Sequence, residues 1–195
     1  MSPHTLQVGD HLIDLLNPDP ATIDPVAVIR RLSTIRRFGG EPSALTVLEH
    51  QELTGLVARV LAPTVGHEAP CREWGRRHDL HEGVIGDIVS PVARLTARHG
   101  PNGLDALKRR IDKALAPAFG SEVTPRIREV VGRADAIAAS IEWVDVMNGP
   151  PVDWLVPVPL RYGIAESFIL RAKADAARIA SAASVGRFIG YGSEE

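Results

Sequence analysis

His78 and Asp79 stand side by side in the stretch His78-Asp79-Leu80-His81-Glu82-Gly83-Val84-Ile85-Gly86-Asp87. An adjacent imidazole and carboxylate offer a divalent transition metal one nitrogen and one oxygen from a single turn of backbone. Glu82 follows Asp79 by three residues and His78 by four, so on a helix it lies over the same turn. That is where a proton-handling carboxylate belongs. The dipeptide alone is weak, because chance supplies it in many chains. His50 upstream and Asp135 downstream complete a set of two imidazoles and two carboxylates. Such a set suits one borderline divalent metal: Co, Mn, Zn, Fe or Ni. A metal held this way keeps positions open for water and a phosphate oxygen, the requirement for metal-assisted hydrolysis. Taken singly, His50 also reads as a half-buried, hydrogen-bonded side chain and Asp135 as a helix-surface charge. Their co-occurrence on separate elements points to a site.

The elements that must position these residues follow from hydrophobic spacing. Thr5–Leu16 alternates around Gly9-Asp10, which predicts a short hairpin or extended arm. Asp24-Pro25 predicts a helix start, Asp as cap and Pro in the first turn, running to Phe38 before Gly39-Gly40. A second helix opens at Ser43 and carries Leu45, Leu48, Leu53, Leu56, Val57 and Val60, with His50 at the edge of that stripe. A third, Pro70 to Glu82, carries His78 and Asp79. A shorter one follows Ser90-Pro91, and a fifth spans Asn102 to Phe119. The sixth, Pro125 to Met147, carries Asp135 beside Val131, Ala134 and Ala138. The proline-bearing stretch Val152–Leu160 reads as extended, and Glu166 to Ala183 as a last helix. The expected fold class is all-α: a helical bundle with an N-terminal arm or hairpin and a C-terminal extension. Residues 1–148 form the core and 149–195 the extension, in one domain.

The bulk numbers narrow the function classes. At 195 residues, with 45% apolar and 24% charged side chains, the chain reads as one ordinary globular domain. A net charge of −2 with interspersed signs disfavours a duplex nucleic-acid partner. No apolar run reaches membrane-span length, and the start Met1-Ser2-Pro3-His4 lacks a secretory pattern, so a cytoplasmic protein is expected. The lone Cys71 has neither a disulfide partner nor a CxxC companion. His67, His81 and His99 read as surface or loop histidines, and Trp74, Trp143 and Trp154 as packing residues rather than a stacking platform. Glu142 and Asp145 share the Asp135 helix, either to orient an Arg or His of the site or to pair with a neighbouring subunit.

The pattern His50…His78-Asp79…Asp135 resembles the HD-domain phosphohydrolase superfamily, an all-helical metal-dependent fold. The string from His78 to Asp87, followed by Ser90-Pro91, matches the narrower motif HD-x-x-E-x-x-x-G-D-x-x-x-P. That motif is similar to the branch holding bacterial 5′-deoxynucleotidases and the dATP triphosphohydrolases of phages that replace adenine with 2-aminoadenine. Asp14-Leu15-Leu16-Asn17-Pro18 and Arg37-Phe38-Gly39-Gly40 look closer to the second group. The resemblance covers about Asp14 to Met147 and fades after Gly149.

It implies metal ligation by His50, His78, Asp79 and Asp135, with additional Mg or Mn on the substrate phosphates. It makes Glu82 the residue that activates water or relays protons, and Asp87 a catalytic-site group near the sugar hydroxyl. Arg37 and Phe38 would contact phosphate and nucleoside, Pro91 would line the base pocket, and Arg94 would reach phosphate. Relatives carry a His after the Gly-Gly pair, where this chain has Glu41. They also carry a Lys two positions after the proline, where it has Ala93 with Arg94 next. The expected activity is hydrolysis of a deoxynucleotide 5′-phosphate ester, with a dNTP such as dATP giving deoxynucleoside and triphosphate. A 5′-deoxynucleotidase acting on dNMPs is the alternative, and an inactive nucleotide-sensing module a third reading. Homo-oligomers, dimers or hexamers, are expected from the same resemblance.

Overall fold

The structure, a computed structural model, describes residues 3–96, 103–120, 123–159 and 163–184. His99, Asn102 and Leu160 therefore lie outside the described residues. The N-terminal arm is a hairpin of β1 (Thr5–Val8) and β2 (His11–Asp14), with Thr5 opposite Asp14 and Val8 opposite His11. Gly9 turns the chain at φ 61, a backbone region that suits glycine. Val8 and Ile13 point inward and are buried.

Helix α1 (Pro25–Leu32) starts where the sequence says, the Asp24 carboxylate accepting the Val26 amide at 2.9 Å. It stops six residues before Phe38. Arg36 is instead extended and bridges Thr46, and the next turn, α2 (Arg37–Gly40), holds Phe38 and Gly39 in left-handed conformations. Helix α3 (Val47–Val60) begins later than Ser43 because Thr46 and Glu49 form a reciprocal capping box. Apart from Glu49, α3 is buried from Val47 to Ala58, so His50 is wholly enclosed rather than at a stripe edge.

The expected third helix is two pieces. Helix α4 (Glu68–Gly75) ends, the chain turns through residues 76–81, and α5 (Glu82–Ile85) follows. His78 and Asp79 thus sit on a turn, not on a helix. Two glycines allow the close packing that aims this turn. A Cβ on Gly75 would lie 2.7 Å from the Gly55 Cα, and one on Gly83 would lie 2.7 Å from Val28 Cγ1. Arg76, buried beside α3, donates from Nε to Glu52 Oε1 at 2.8 Å and anchors the turn.

Helices α6 (Ser90–Thr96), α7 (Leu104–Phe119) and α8 (Pro125–Ile141) follow, the last continuing as a π-helical turn at Glu142–Val146. After an extended, proline-bearing stretch comes α9 (Ile164–Ser184). The core is in two apolar clusters. One joins the hairpin to α1, α5 and α7; the other joins α3, α4 and α8. Helix α9 serves both, placing Ile169 and Ala172 in the second and Ala176, Ile179 and Ala183 in the first. The molecule is mostly helical, with one two-stranded sheet among the described residues. None of the described helices is long and apolar enough to cross a membrane.

Candidate metal centre

Three elements deliver the four expected ligands to one point: α3 brings His50, the turn after α4 brings His78 and Asp79, and α8 brings Asp135. One ligand atom from each lies within 4.8 Å of all the others. His50 Nε2 stands 2.9 Å from Asp135 Oδ1 and 3.2 Å from Thr54 Oγ1. His78 Nε2 stands 3.0 Å from Asp79 Oδ2 and 3.5 Å from Asp135 Oδ1, yet has the alignment of a hydrogen bond with neither. Its other nitrogen, Nδ1, donates to the Gly75 carbonyl at 2.7 Å. That bond fixes the tautomer, leaving the Nε2 lone pair facing the two carboxylates. His50 and Asp135 bond to each other, but His78 Nε2 converges on the same two carboxylates without a hydrogen-bond partner, and an unbonded buried nitrogen aimed at two carboxylates fits a shared cation.

The charges agree with that geometry. Burial works against a charged His78, but Asp79 and Asp135 outweigh it and hold the imidazole well above its ordinary pKa. Burial likewise opposes ionised Asp79 and Asp135. The His78 charge outweighs it at Asp79, and the contacts with His50 and His78 outweigh it at Asp135, so both carboxyls sit below the usual carboxylate range. A proton on His78 takes the place a metal would fill.

Glu142, fully buried at the start of the π turn, orders one side of the site. Its Oε2 accepts Arg37 Nε at 3.1 Å and lies 3.2 Å from His50 Nδ1, while Oε1 accepts the Leu45 amide at 2.7 Å. Of the two roles open to it, orienting an Arg and a His is the one observed. Asp145 on the same turn is exposed. Desolvation opposes the Arg37 charge, but Glu142, Asp135, Asp79 and Glu82 raise its pKa above the ordinary value. The guanidinium is therefore a fixed cation beside the ligands.

Glu82 opens α5 with its side chain buried and Oε2 without a hydrogen-bond partner. Burial first, then the Asp79 charge, pushes its carboxyl up to about 9, with Arg37 pulling the other way. Asp87 accepts the Gly39 amide at 3.2 Å, tying the loop after α5 to α2. Phe38 does not stand alone. Its ring centroid is 5.5 Å from Trp143 and 6.3 Å from Trp154, and Arg37 Cζ lies 5.6 Å over it. Trp143 and Trp154 thus belong to an aromatic cluster at the Arg37 end of the site, with Trp154 41% exposed. Pro91 and Arg94 are exposed on α6 and belong to neither the ligand cluster nor the cleft described next.

A cavity of about 890 Å³ opens between α4, α7 and α8, and His78 and Asp135 are part of its lining. Arg77, Arg109, Lys113 and Arg128 stand around it. Arg77 is held in place by donating to the Glu73 and Phe119 carbonyls. On α7, Arg109 lines the cleft, whereas Lys108 bears on the Glu82 carboxyl instead. Two spacings could have revealed more: Arg109 and Lys113 are one helical turn apart, and Arg128 lies two turns before Asp135. His81, expected on the surface, is buried with Nδ1 3.0 Å from Asp112 Oδ1. The histidine lies in the turn that Arg76 anchors, whose inward path a continuous helix would not follow.

No protein-family model matches this chain, and no curated protein matches it.

Proposed function

We propose that this chain is a divalent-metal-dependent phosphohydrolase that cleaves the 5′-phosphate ester of deoxynucleotides, favouring a dNTP such as dATP. The products are deoxynucleoside and triphosphate: water adds at the α-phosphorus, the bond from phosphorus to O5′ breaks, and O5′ gains a proton. One observation carries the reading: the ligands His78 and Asp135 line a cleft with four basic side chains around it. A triphosphate needs that much positive charge.

His50, His78, Asp79 and Asp135 would hold the metal. When bound, it supplies positive charge to a phosphoryl oxygen and lowers the pKa of water. Arg37, held by Glu142, offers forked donors to the phosphate oxygens next to the ester. Arg109, Lys113 and Arg128 offer charge to the phosphates beyond. Glu82 handles the proton: buried beside Asp79, its carboxylate would take it from the attacking water and pass it to O5′. Asp87, bonded to the Gly39 amide, and the Phe38 ring flank the nucleoside side of Arg37, while Pro91 and Arg94, exposed on α6, are given no substrate contact.

The alternative is a 5′-deoxynucleotidase acting on dNMPs, which needs Arg37 but not the cleft. An inactive nucleotide-sensing module is disfavoured because no ligand and no Glu82 is missing. Metal-stripped protein reloaded with Mn, Co, Zn or Mg should be assayed against all dNTPs, dNMPs and their ribo forms. Triphosphate release from dATP is expected. Orthophosphate from dNMPs alone selects the nucleotidase, and no hydrolysis with any metal removes both enzymes.

A further inference from the structure

We propose that Asp79, His81 and Glu82 form a second divalent-cation position, joined to the first through the two oxygens of Asp79. The inference rests on the metal-dependent reading of the first cluster and adds ligands to it. His81 is only 4% exposed, and so is Glu82. His81 Nδ1 donates to Asp112 Oδ1 at 3.0 Å, which leaves a lone pair on Nε2. That Nε2 has no hydrogen-bond partner and faces Asp79 Oδ1 at 3.9 Å. Glu82 Oε2, also without a partner, supplies a third donor, and one atom from each residue lies within 4.8 Å of the other two.

The separation decides between explanations. At 3.9 Å, His81 Nε2 and Asp79 Oδ1 are too far apart for a hydrogen bond. Two donors each about 2.1 Å from a shared ion stand roughly 3 to 4 Å apart. A purely structural His81–Asp112 tie between the α5 segment and α7 accounts for Nδ1, but not for two orphaned polar atoms in the same pocket. A carboxylate hydrogen-bonded behind an imidazole is also the usual support of a metal-ligating histidine.

Asp79 divides its oxygens: Oδ2 faces His78 Nε2 at 3.0 Å and Oδ1 faces His81. The two positions are therefore carboxylate-bridged, which suits ions about 3.5–4 Å apart that clamp one phosphoryl group. One nitrogen and two oxygens make this the harder site, fitted to Mn or Mg. Asp112 itself lines the basic cleft, so the second position adjoins the space given to the phosphates.

Metal-stripped protein titrated with Mn(II) by equilibrium dialysis should take up two equivalents. His81→Ala should take up one, as should His81→Gln, which keeps a polar group against Asp112 should the alanine variant not fold. Asp112→Asn should weaken the second equivalent by about 10–100-fold. At two equivalents, exchange coupling should broaden away the six-line Mn(II) resonance of the wild type, whereas both His81 variants keep it. A wild type that binds one equivalent, or His81 variants that still bind two, overturns the second position and leaves the first intact. A wild type that binds none removes both, and the proposed function with them.

Discussion

Arg37 Nε meets Glu142 Oε2 at 3.1 Å, joining the strained turn α2 to the π turn 105 residues later. The same carboxylate lies beside His50, so one buried charge positions both Arg37 and an imidazole of the candidate metal centre. Glu142→Ala leaves Arg37 and the Leu45 amide unpaired in the interior. It should destabilise the protein by about 3–5 kcal/mol, read as a lowered denaturation midpoint. Glu142→Gln keeps an acceptor for Leu45, so it should cost less stability while raising KM and weakening metal retention. Wild-type KM and metal content in Glu142→Gln would show that the carboxylate orders neither group.

Glu82→Gln should lower kcat by about 10²–10⁴-fold with little change in KM. The metal at His50, His78, Asp79 and Asp135 should be retained, read as the one Mn(II) equivalent still bound in equilibrium dialysis. The second should be weakened, because Glu82 also belongs to the other cluster. Retained turnover removes Glu82 from proton handling.

The basic cleft separates the two substrate readings. Arg109→Ala combined with Lys113→Ala should raise KM for dATP roughly 10–100-fold, the loss of one or two hydrogen bonds to charged groups. KM for dAMP should move little, and the dATP effect should shrink at high salt because these side chains are exposed. Equal changes for both substrates would place the terminal phosphates elsewhere.

The metal-stripped protein should lose stability as pH rises. Burial and Asp79 lift the Glu82 carboxyl from 4.5 to about 9, so its contribution is complete below 4.5 and is lost as pH climbs through 9. His78, raised above 6.5, acts in the same direction. Asp79 and Asp135, held below 3.8, contribute above that value and fail only as pH drops through their lower folded values. Thermal melting should therefore peak in mild acid, near about pH 5, and decline towards pH 9. Added metal should reverse the trend, because the candidate ligands must be deprotonated to bind it. A stripped protein whose Tm rises from pH 5 to 9 contradicts these proton affinities.

Local signals in the chain were enough for much of this. Asp24-Pro25 starts α1 because cap and ring act within one turn, and the Pro125–Met147 pattern gives α8 because apolar residues recur at helical spacing. The cluster of His50, His78, Asp79 and Asp135 was legible because a metal site restricts residue type and order, and the structure brings one donor atom of each within 4.8 Å of the others. The path between those signals was not. A continuous helix over Pro70–Glu82 has the right composition, and only the Gly55–Gly75 contact and the Arg76–Glu52 pair, each joining α4 or its following turn to α3, break it into a turn. That break buries His81 against Asp112 and turns Asp79 between two histidines. The gathering of Arg77, Arg109, Lys113 and Arg128 around one cleft likewise depends on how three helices pack. The sequence by itself determined which groups can bind a metal, since that is a property of side chains. Tertiary structure decided which oxygens and nitrogens face one another, since that is set by contacts between residues far apart in the chain.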